Sequence, residues 1–439
     1  MARRVLLARR AECFPDRMIM GKVVIIGQGY VGLPLAIRAV EAGDDVVGLD
    51  VDTDRIKSLG AGLSFVEDIS DERLARALET GRYRPTDDYA DAAGFDTCAI
   101  TVPTPLTDGV PDISHIEHAA LQIAPYLRPG CTVILESTTY PGTTEQVLRP
   151  LLEHASGLRT PDDFHLGYSP ERIDPGNPTW HLENTPKLVS GIDESSLAAT
   201  KAFYERFVDR TVPVSAPRTA ELTKLFENTF RHINIALVNE LAIVANQLGV
   251  DVREAIEAAA TKPFGFMAFD PGPGVGGHCL PIDPSYLSWQ VKREVGQRFR
   301  FIELANDVNE GMPRYVVQRI AAGLNTRCKP VNGSRILLLG LAYKSNVGDL
   351  RESPARAVAE LLVDLGADVR AVEPHALPRD VGSLGGVTLV DLTPVEVMAA
   401  DAVVLLTDHD DFDYSLVEEH AQYIFDTRNR CRGRVVERL

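Results

Sequence analysis

The chain has 439 residues, of which 45% are hydrophobic and 24% charged, and its formal net charge is −17. This length exceeds what one core usually supports, so a globular protein of two or three domains is expected. The acidic excess disfavours nucleic-acid binding, and no apolar run approaches the ~18 residues that cross a membrane.

The six cysteines are scattered, with no CxxC pair and no metal-ligand spacing. In a chain of this length the pattern favours reduced thiols in the cytoplasm and predicts no metal site. The N-terminal segment 1–20 lacks the apolar region of a secretory signal. Met18 and Met20 stand just before the first strand pattern, and we predict that residues 1–20 are a poorly ordered N-terminal extension or the result of a misassigned start.

A strand–helix–strand unit follows this extension. "KVVIIG" is a β-branched run, "YVGLPLAIRAVEAG" has helical apolar spacing, and "DVVGLDVD" is a second strand pattern. Further strand patterns continue to about residue 212. The sequence thus predicts a doubly wound, Rossmann-like α/β domain over residues 21–212.

The turn after the first strand has the spacing GxGxxG, formed by Gly27, Gly29 and Gly32. Glycines there allow a pyrophosphate to approach the backbone at a helix N-terminus. Asp50 ends the second strand, where an acid bonds the ribose hydroxyls of NAD and repels the 2′-phosphate of NADP. Arg55 is placed to cover the adenine side. We predict NAD as the cofactor.

A long helical pattern opens the predicted central domain, residues 213–328, and ends at Gly249. Lys224 and Asn228 are four residues apart and therefore share one helix face. Such a pair can stabilise an oxyanion. The neighbouring acids Glu221 and Glu227 are assigned to solvated positions.

A Gly/Pro-rich stretch, "GPGVGGHCLPIDP", interrupts the helices and contains Cys279. Gly276 and Gly277 are interpreted as leaving room for a ligand beside the thiol. Asp283 follows four residues later and approaches the thiol if a helix starts after Pro281. Because a carboxylate raises a thiol pKa, Asp283 is better suited to handling water or a proton than to activating the thiolate.

A second α/β pattern covers residues 329–439 and has "LGLAY" where a glycine fingerprint would stand. The predicted fold class is therefore α/β, with two Rossmann-like doubly wound domains joined by a long-helix central domain. From the residues alone, Glu171 in "YSPERIDPGN" is either a turn acid or a site residue, and the substrate stays open.

Several segments together resemble the UDP-glucose/GDP-mannose dehydrogenase family, the nucleotide-sugar 6-dehydrogenases, from about Lys22 to near the C-terminus. They are "GQGYVGLPLA", "VPTP", "ESTTYPGTT", "SPER", "AELTKLFENTFRHINIALVNE", "GPGVGGHCLPIDP" and "AYKSNVGDLRESPA". The segments "KPFGFM" and "GGHC" look most like the branch acting on UDP-N-acetylhexosamines. Where UDP-glucose enzymes more often have serine before the cysteine, this chain has His278.

The resemblance implies an NAD-dependent, four-electron oxidation of a sugar C6 hydroxymethyl to a carboxylate through a thiohemiacetal and a thioester on Cys279. Further catalytic residues by the same resemblance are Lys224, Asn228, Asp283, Glu171 and Thr138. Such a product belongs to uronic acid and polysaccharide biosynthesis.

The resemblance also implies contacts with the two ligands. The cofactor residues are Gly27, Gly29, Tyr30, Val31, Gly32, Asp50, Arg55, Val102, Pro103, Thr104, Ser137, Thr138, Thr139 and Arg351. The substrate residues are Glu171, Arg172, Lys224, Asn228, Lys262, Phe264, Gly272, Gly274, Gly276, Lys344 and Arg428. Where UDP-glucose enzymes place a sugar-binding arginine, this chain has Lys262. The long helix matches the family's dimer spine, which implies a homodimer or higher homo-oligomer.

Other functions stay open on the sequence. The substrate alternatives are UDP-glucose and dTDP-glucose. A two-electron dehydrogenase of the hydroxyacid type shares the N-terminal fold, but it needs no covalent sulfur. An NAD-binding protein without catalysis is the remaining alternative.

Overall fold

The structure is a computed structural model that describes residues 21–66, 68–174, 177, 179–277, 280–376, 381–382 and 384–439. The predicted N-terminal extension, His278 and Cys279 lie outside the described residues. Two mainly parallel sheets and a long helix between them confirm the predicted fold class. Within the described ranges, no helix is long and apolar enough to cross a membrane.

The first sheet has eight strands among the described residues, in the order β10–β9–β8–β7–β4–β1–β2–β3. Its neighbouring strands run parallel, except that β8 and β9 are antiparallel. The strands, with a separate hairpin β5–β6, are β1 Lys22–Ile26, β2 Asp45–Leu49, β3 Tyr83–Thr86, β4 Thr97–Ile100, β5 Leu106–Thr107, β6 Val110–Pro111, β7 Thr132–Leu135, β8 His165–Tyr168, β9 Lys187–Gly191 and β10 Thr211–Pro213.

Helices cover both faces of this sheet, which explains the continuous apolar runs in its strands. In β1, Val23 and Ile25 pack into the core on one face, whereas Val24 and Ile26 pack into the core on the other. The surrounding helices are α1 Gly32–Glu41, α2 Thr53–Gly60, α3 Asp71–Glu79, α4 Ser114–Ile123, α5 Arg149–Ser156 and α6 Glu194–Tyr204, with 3₁₀ turns at Tyr89–Ala92 and Ala124–Tyr126 and a π-helix at Thr144–Leu148.

The central helix α7, Pro217–Leu248, has 32 residues and is therefore about 48 Å long. Pro217 begins it, since proline is favoured at the first turn, and Gly249 ends it in the left-handed conformation with φ 69°. It packs against the three later helices of the central region, mainly the second and third of them. The central helices after α7 are α8 Val252–Ala260, α9 Asp283–Val295 and α10 Arg300–Asn325.

The second sheet has six parallel strands among the described residues, in the order β13–β12–β11–β14–β15–β16. Its strands are β11 Arg335–Leu339, β12 Asp368–Val372, β13 Val387–Leu389, β14 Ala402–Leu405, β15 Ile424–Asp426 and β16 Val436–Arg438. Its helices are α11 Pro354–Asp364, α12 Pro394–Ala399 and α13 Tyr414–His420.

The turn after β11 repeats the turn after β1 in a closed form. Gly340 has φ +81°, as Gly27 has φ +94°. After β1, the Gln28 N–H donates to the Asp50 carboxylate at 2.7 Å. In the second sheet, the N–H groups of both Leu341 and Ala342 donate to the Glu373 carboxylate, at 2.7 and 2.9 Å. These donors are used internally, which agrees with the absence of the glycine fingerprint from "LGLAY".

Candidate active site

The glycine turn after β1 leaves an open cradle at the start of α1. A Cβ on Gly32 would lie 1.8 Å from the Gly27 carbonyl oxygen, so the helix must pack directly on the turn. Beside Gly29, by contrast, a Cβ would meet nothing within 4 Å. Val31 caps α1 without a side-chain hydrogen bond. The Leu33 N–H already donates to the Gly29 carbonyl at 3.1 Å, so an anion would be received by the Gly32 N–H and the positive end of the helix dipole. This geometry fits the pyrophosphate of a dinucleotide.

Asp50 lies beside this cradle, at the carboxyl end of β2. Its side chain is buried and accepts hydrogen bonds from the Gln28 N–H at 2.7 Å and from Arg55 at 2.9 Å. The Arg55 guanidinium also lies 5.0 Å from the centroid of the Phe65 ring. The Asp52 N–H donates to the other oxygen, Oδ1, at 3.0 Å. The acid is therefore held in place, with one lone pair of Oδ1 left for a ribose hydroxyl.

Two further predicted cofactor segments meet at the same sheet edge, after β4 and β7. Ser137 Oγ donates to the Val102 carbonyl at 2.7 Å, and Thr104 Oγ1 donates to the Thr138 carbonyl at 2.8 Å. Thr139 Oγ1 is 2.7 Å from Thr143 Oγ1. The segment 102–105, which includes Pro103, and the segment 137–139 thus form one surface beside the glycine turn. In open α/β sheets, ligands bind at this carboxyl edge.

The predicted pair on α7 meets the start of α9. Asn228 Nδ2 donates to Asp283 Oδ2 at 2.5 Å, and Asp283 is 2% exposed. Lys224 lies one turn earlier on the same face, is buried, and interacts electrostatically with Asp283. We call these three residues the α7–α9 cluster. The cluster brings an ammonium, an amide and a carboxylate together. The carboxylate belongs to Asp283, which is four residues after Cys279 in the chain.

Glu171 follows β8 and is fixed on both of its oxygens. Oε1 accepts the N–H groups of Arg172 and Ile173 at 2.5 and 2.7 Å, and Oε2 lies 3.0 Å from Lys187 Nζ. The Arg172 guanidinium donates to Glu227, one residue before Asn228, at 2.6 Å. This ion pair attaches the "SPER" segment to α7 close to the α7–α9 cluster.

The glycines before Cys279 serve close packing. A Cβ on Gly276 would lie 2.6 Å from the Glu352 carbonyl oxygen, 2.8 Å from Pro354 Cδ and 2.9 Å from Tyr343 Cβ. Gly277, with φ +86°, has the Tyr343 ring 2.8 Å from its Cβ position. The interpretation of these two glycines as room for a ligand is therefore wrong: the C-terminal α/β region already fills the space beside them.

The start of the same loop is held from two sides. The Gly272 N–H donates to Asn239 Oδ1 of α7 at 2.9 Å, and Arg428 Nη1 lies 3.0 Å from the Gly272 Cβ position. Gly274, with φ +136°, packs against the Asn309 carbonyl of α10. The loop is thus clamped between the central helices and the second sheet.

The predicted cations of the second α/β region reach the first one. Lys344 Nζ lies 2.7 Å from Asp174 Oδ1, which follows the "SPER" segment. Arg351 donates to Asp349 at 2.7 and 2.9 Å, and this carboxylate, with a smaller effect of Tyr30 in the glycine turn, raises the pKa of Arg351. Both cations therefore lie in the cleft between the two sheets.

Lys262 and Phe264 are placed differently. They lie on an exposed turn after α8, with Lys262 Nζ 5.1 Å from the Phe264 ring centroid. Phe264 is 71% exposed. Within one chain, the structure therefore leaves these two predicted substrate residues at the surface, apart from the buried α7–α9 cluster.

Comparisons with known proteins cover nearly the whole chain. Family models for three domains of the UDP-glucose/GDP-mannose dehydrogenase family match the chain: the NAD binding domain at residues 21–208, the central domain at 218–311 and the UDP binding domain at 337–433. A UDP-N-acetyl-D-mannosamine dehydrogenase of Pyrococcus horikoshii is 38% identical over 392 residues, 89% of this chain and 90% of the relative.

The chain belongs to the UDP-glucose/GDP-mannose dehydrogenase family.

Two further comparisons agree with this membership. A UDP-N-acetyl-D-glucosamine 6-dehydrogenase of Pseudomonas aeruginosa is 36% identical, covering 89% of this chain and 91% of the relative. The solved UDP-D-ManNAc dehydrogenase of Pyrococcus horikoshii superposes with a TM-score of 0.86 at 35% identity, covering 95% of this chain and 98% of that one. The predicted family is confirmed, and the protein is an NAD-dependent nucleotide-sugar dehydrogenase.

Burial shifts the pKa of Asp283, the acid of the α7–α9 cluster in this dehydrogenase. Burial raises the pKa of Asp283 to about 6, although Lys224 and the hydrogen bond from Asn228 act to lower it. A carboxyl group with this pKa exchanges protons close to neutral pH. Asp283 is therefore poised as a proton acceptor and donor.

The placement of Glu221 differs from the prediction. It is fully buried, and its carboxyl group accepts hydrogen bonds from the Gly142 N–H at 2.5 Å, the Thr144 N–H at 2.9 Å and Thr144 Oγ1 at 2.7 Å. Burial raises the pKa of Glu221 to about 7. Glu221 thus anchors the end of the 137–144 segment to α7, and the prediction of a solvated acid is wrong. Its only sequence signal was its position three residues before Lys224, on the same helix face.

Proposed function

We propose that this dehydrogenase oxidises the C6 hydroxymethyl group of a UDP-N-acetylhexosamine to a carboxylate, with Cys279 as the covalent nucleophile. The observation that supports this most strongly is the α7–α9 cluster. It places Lys224, Asn228 and Asp283 together at the start of α9, directly after the cysteine loop. A two-electron oxidation of a hydroxyacid needs no such thiol.

NAD, when bound, accepts the hydrides of both oxidations. The chain's own part is to capture the C6 aldehyde: the Cys279 thiolate adds to the carbonyl carbon, and the resulting oxyanion is stabilised by the Lys224 ammonium and the Asn228 amide. Asp283 handles the protons that leave the hydroxyl group. Because the aldehyde stays bound to sulfur, it does not escape before the second oxidation.

Hydrolysis then releases the acid from the thioester. We assign the proton-accepting role to Glu171, which is fixed at the carboxyl edge of β8, and the holding of the water to Thr138 in the neighbouring segment after β7. Both assignments rest on the family resemblance, and the shared sheet edge supports them.

The remaining proposed contacts follow the cleft. The cofactor contacts after the glycine turn are Asp50, Arg55, Val102, Pro103, Thr104, Ser137, Thr138, Thr139 and Arg351. The substrate contacts outside the catalytic cluster are Arg172, Gly272, Gly274, Gly276, Lys344 and Arg428, with Lys262 and Phe264 on the exposed turn. Since the glycine Cβ positions are occupied, the loop would offer its backbone to the sugar.

The names of the relatives support the N-acetylhexosamine assignment over UDP-glucose and dTDP-glucose. A panel tests it: NADH formation is measured with the UDP derivatives of N-acetylmannosamine, N-acetylglucosamine and N-acetylgalactosamine, with UDP-glucose, and with dTDP-glucose. We expect the highest kcat/KM for one of the three N-acetylated sugars. A higher kcat/KM for UDP-glucose or dTDP-glucose would contradict the assignment. We place the reaction in the cytoplasm, where free thiols such as Cys98, Cys131 and Cys431 stay reduced.

The acid limb of the pH–rate profile is expected to report Asp283. Because its carboxylate is the base, kcat should fall as the pH drops below about 6. Asn228→Ala removes a hydrogen bond that stabilises the carboxylate, so the pKa rises and the limb moves to higher pH. Steady-state kinetics between pH 5 and 9 measure the shift. If the acid limb of Asn228→Ala stays in place or moves to lower pH, Asp283 is not the base.

We further propose a homodimer formed through the apolar face of α7. Its members are exposed apolar side chains on one stripe of the helix: Phe226, Phe230, Leu237, Leu241, Val244 and Leu248. A solvated helix face of this size is unusual, since extended exposed apolar patches mark interfaces. The exposed turn of Lys262 and Phe264 follows α8, next along the chain, and a partner subunit would cover it.

Light scattering after size exclusion tests the dimer. We expect twice the chain mass of 48.0 kDa for the native protein and a single chain for Leu241→Glu, because a charge buried at the interface opposes association. Val395→Glu, on an exposed position of α12, is the control and should leave the dimer intact. A native monomer, or an unchanged mass for Leu241→Glu, would exclude this interface.

A further inference from the structure

Behind Glu171 lies a buried charged group that the proposed mechanism does not use. Lys187, the first residue of β9, is 2% exposed, and its Nζ lies 2.9 Å from Glu136 Oε2 and 3.0 Å from Glu171 Oε2. Glu136 Oε1 accepts a hydrogen bond from the hydroxyl of the fully buried Tyr204. We call these four residues the Lys187 network.

Strand direction explains this meeting. Strands β8 and β9 are antiparallel, with Tyr168 opposite Ser190. Continuing the register three residues beyond this pair places Glu171 opposite Lys187. The reversal brings the beginning of β9 to the edge where β7 and β8 end, so Lys187 lies beneath the segments that contain Thr138 and Glu171. The network therefore belongs to the floor of the cleft.

The charges of the network are uneven, with two carboxylates around one ammonium. Burial alone would raise the pKa of Glu171, but Lys187 and the N–H groups of Ile173 and Arg172 outweigh it, and the pKa lies below its usual range. Burial instead raises the pKa of Glu136. The pKa of Lys187 is raised by the two carboxylates although burial opposes this. The network thus keeps the negative charge on Glu171, whose side chain is 12% exposed, rather than on the fully buried Glu136.

We propose that Lys187 is a positioning residue for thioester hydrolysis: it keeps Glu171 ionised and fixed at the carboxyl edge of β8, while Glu136 and Tyr204 hold the ammonium from the other side. This inference rests on the proposed function. In the step concerned, a water O–H bond breaks as its oxygen bonds to the thioester carbon, and Glu171 takes the proton. The C–S bond then breaks, and its electron pair stays on the Cys279 sulfur.

Without the ammonium, the charge that outweighs the burial of Glu171 is lost and the Glu136 carboxylate adds repulsion, so the pKa of Glu171 rises and more of it is protonated. A protonated Glu171 cannot accept the proton of the water. Both hydride transfers precede this step and do not involve Glu171. Loss of Lys187 should therefore slow hydrolysis alone, which separates a positioning role from a general loss of structure.

The test uses the full chain with saturating NAD and the UDP-N-acetylhexosamine that the native protein oxidises fastest. We expect Lys187→Met to give a rapid burst of two NADH per site, then a steady-state rate about 100-fold below the native rate, the size of a lost general base. Intact-mass spectrometry should show the uronyl group attached to the protein. Lys201→Met, at an exposed lysine paired with Glu205, should behave as the native chain does.

Two more variants distinguish the proposed role of Lys187 from an effect of misfolding. Lys187→Met/Glu136→Gln removes the competing carboxylate and should raise the steady-state rate about 5-fold over Lys187→Met alone. Tyr204→Phe keeps the lysine and should lower the steady-state rate about 5-fold with the burst intact, the effect of one hydrogen bond.

A native steady-state rate in Lys187→Met overturns the proposal. A burst reduced in parallel with the steady-state rate, in both Lys187→Met and Tyr204→Phe, overturns it as well. Failure of the proposed function is distinct, because the native protein itself would then yield one NADH per sugar or none.

Discussion

Replacement of Cys279 by serine is expected to lower the rate of uronic acid formation by about 10³-fold or more. A serine hydroxyl is far less acidic than a thiol, so it is a poor nucleophile toward the C6 aldehyde. An ester formed on serine would also release its acid more slowly than a thioester. The loss of an enzyme's nucleophile typically costs at least this factor.

The measurement is a uronic acid assay by chromatography beside NADH absorbance. Cys328→Ser is the matched control, because Cys328 is a free, exposed cysteine on the surface and its replacement should leave both rates unchanged. Native uronic acid formation in Cys279→Ser would refute the covalent mechanism and favour an oxidation without sulfur.

The second large effect is expected for Gly276→Ala. The added Cβ would lie 2.6 Å from the Glu352 carbonyl oxygen and less than 3 Å from Pro354 Cδ and Tyr343 Cβ. Two of these contacts involve backbone or ring atoms that cannot turn away. The loop before Cys279 must therefore shift, and a displacement of about 1 Å in an active site can cost about 100-fold in rate. We expect kcat to fall by that factor.

Gly311→Ala is the control for this substitution. Gly311 lies inside α10, and nothing is within 4 Å of its Cβ position. Alanine there should keep kcat and raise the stability slightly, since alanine favours helix. Thermal melting shows whether Gly276→Ala stays folded. A folded Gly276→Ala protein with native kcat would show that the loop does not need the close contact with Tyr343 and Glu352.

Local patterns in the sequence predicted the parts of the site that depend on neighbouring residues. The glycine turn, the acid after β2 and the Lys224–Asn228 spacing all lie within one turn or one strand–helix unit. Their geometry follows from periodicity and from the direction of parallel strands. The interpretation of Asp283 required a helix after Pro281, and α9 begins at Asp283.

Contacts between distant segments could not be predicted in this way. Glu221 is buried because the turn after β7 packs against α7. The apolar spacing of the helix gives no indication of this contact. On α7 the usual pattern is reversed near the site: polar Glu221 and Lys224 are buried, while Phe226 and Phe230 are exposed. This burial of polar residues and exposure of apolar ones can be explained only when the surfaces that contact α7 are known.

The cysteine loop shows the same limit. From the sequence, a run of glycines is compatible with open space for a ligand or with close backbone packing. The second sheet decides between them, because the segment containing Tyr343 and Glu352 folds onto Gly276 from more than 60 residues away. Lys187 was missed for a similar reason: its partner Glu171 is set by the reversed register of β9.

The proposed reaction is a four-electron oxidation of one sugar carbon. Its most direct measurement counts NADH per molecule of sugar, with limiting UDP-N-acetylhexosamine, excess NAD and the reaction run to completion. We expect two NADH for each sugar consumed, together with one uronic acid. A ratio of one, with an aldehyde or ketone as the product, would contradict the four-electron reaction.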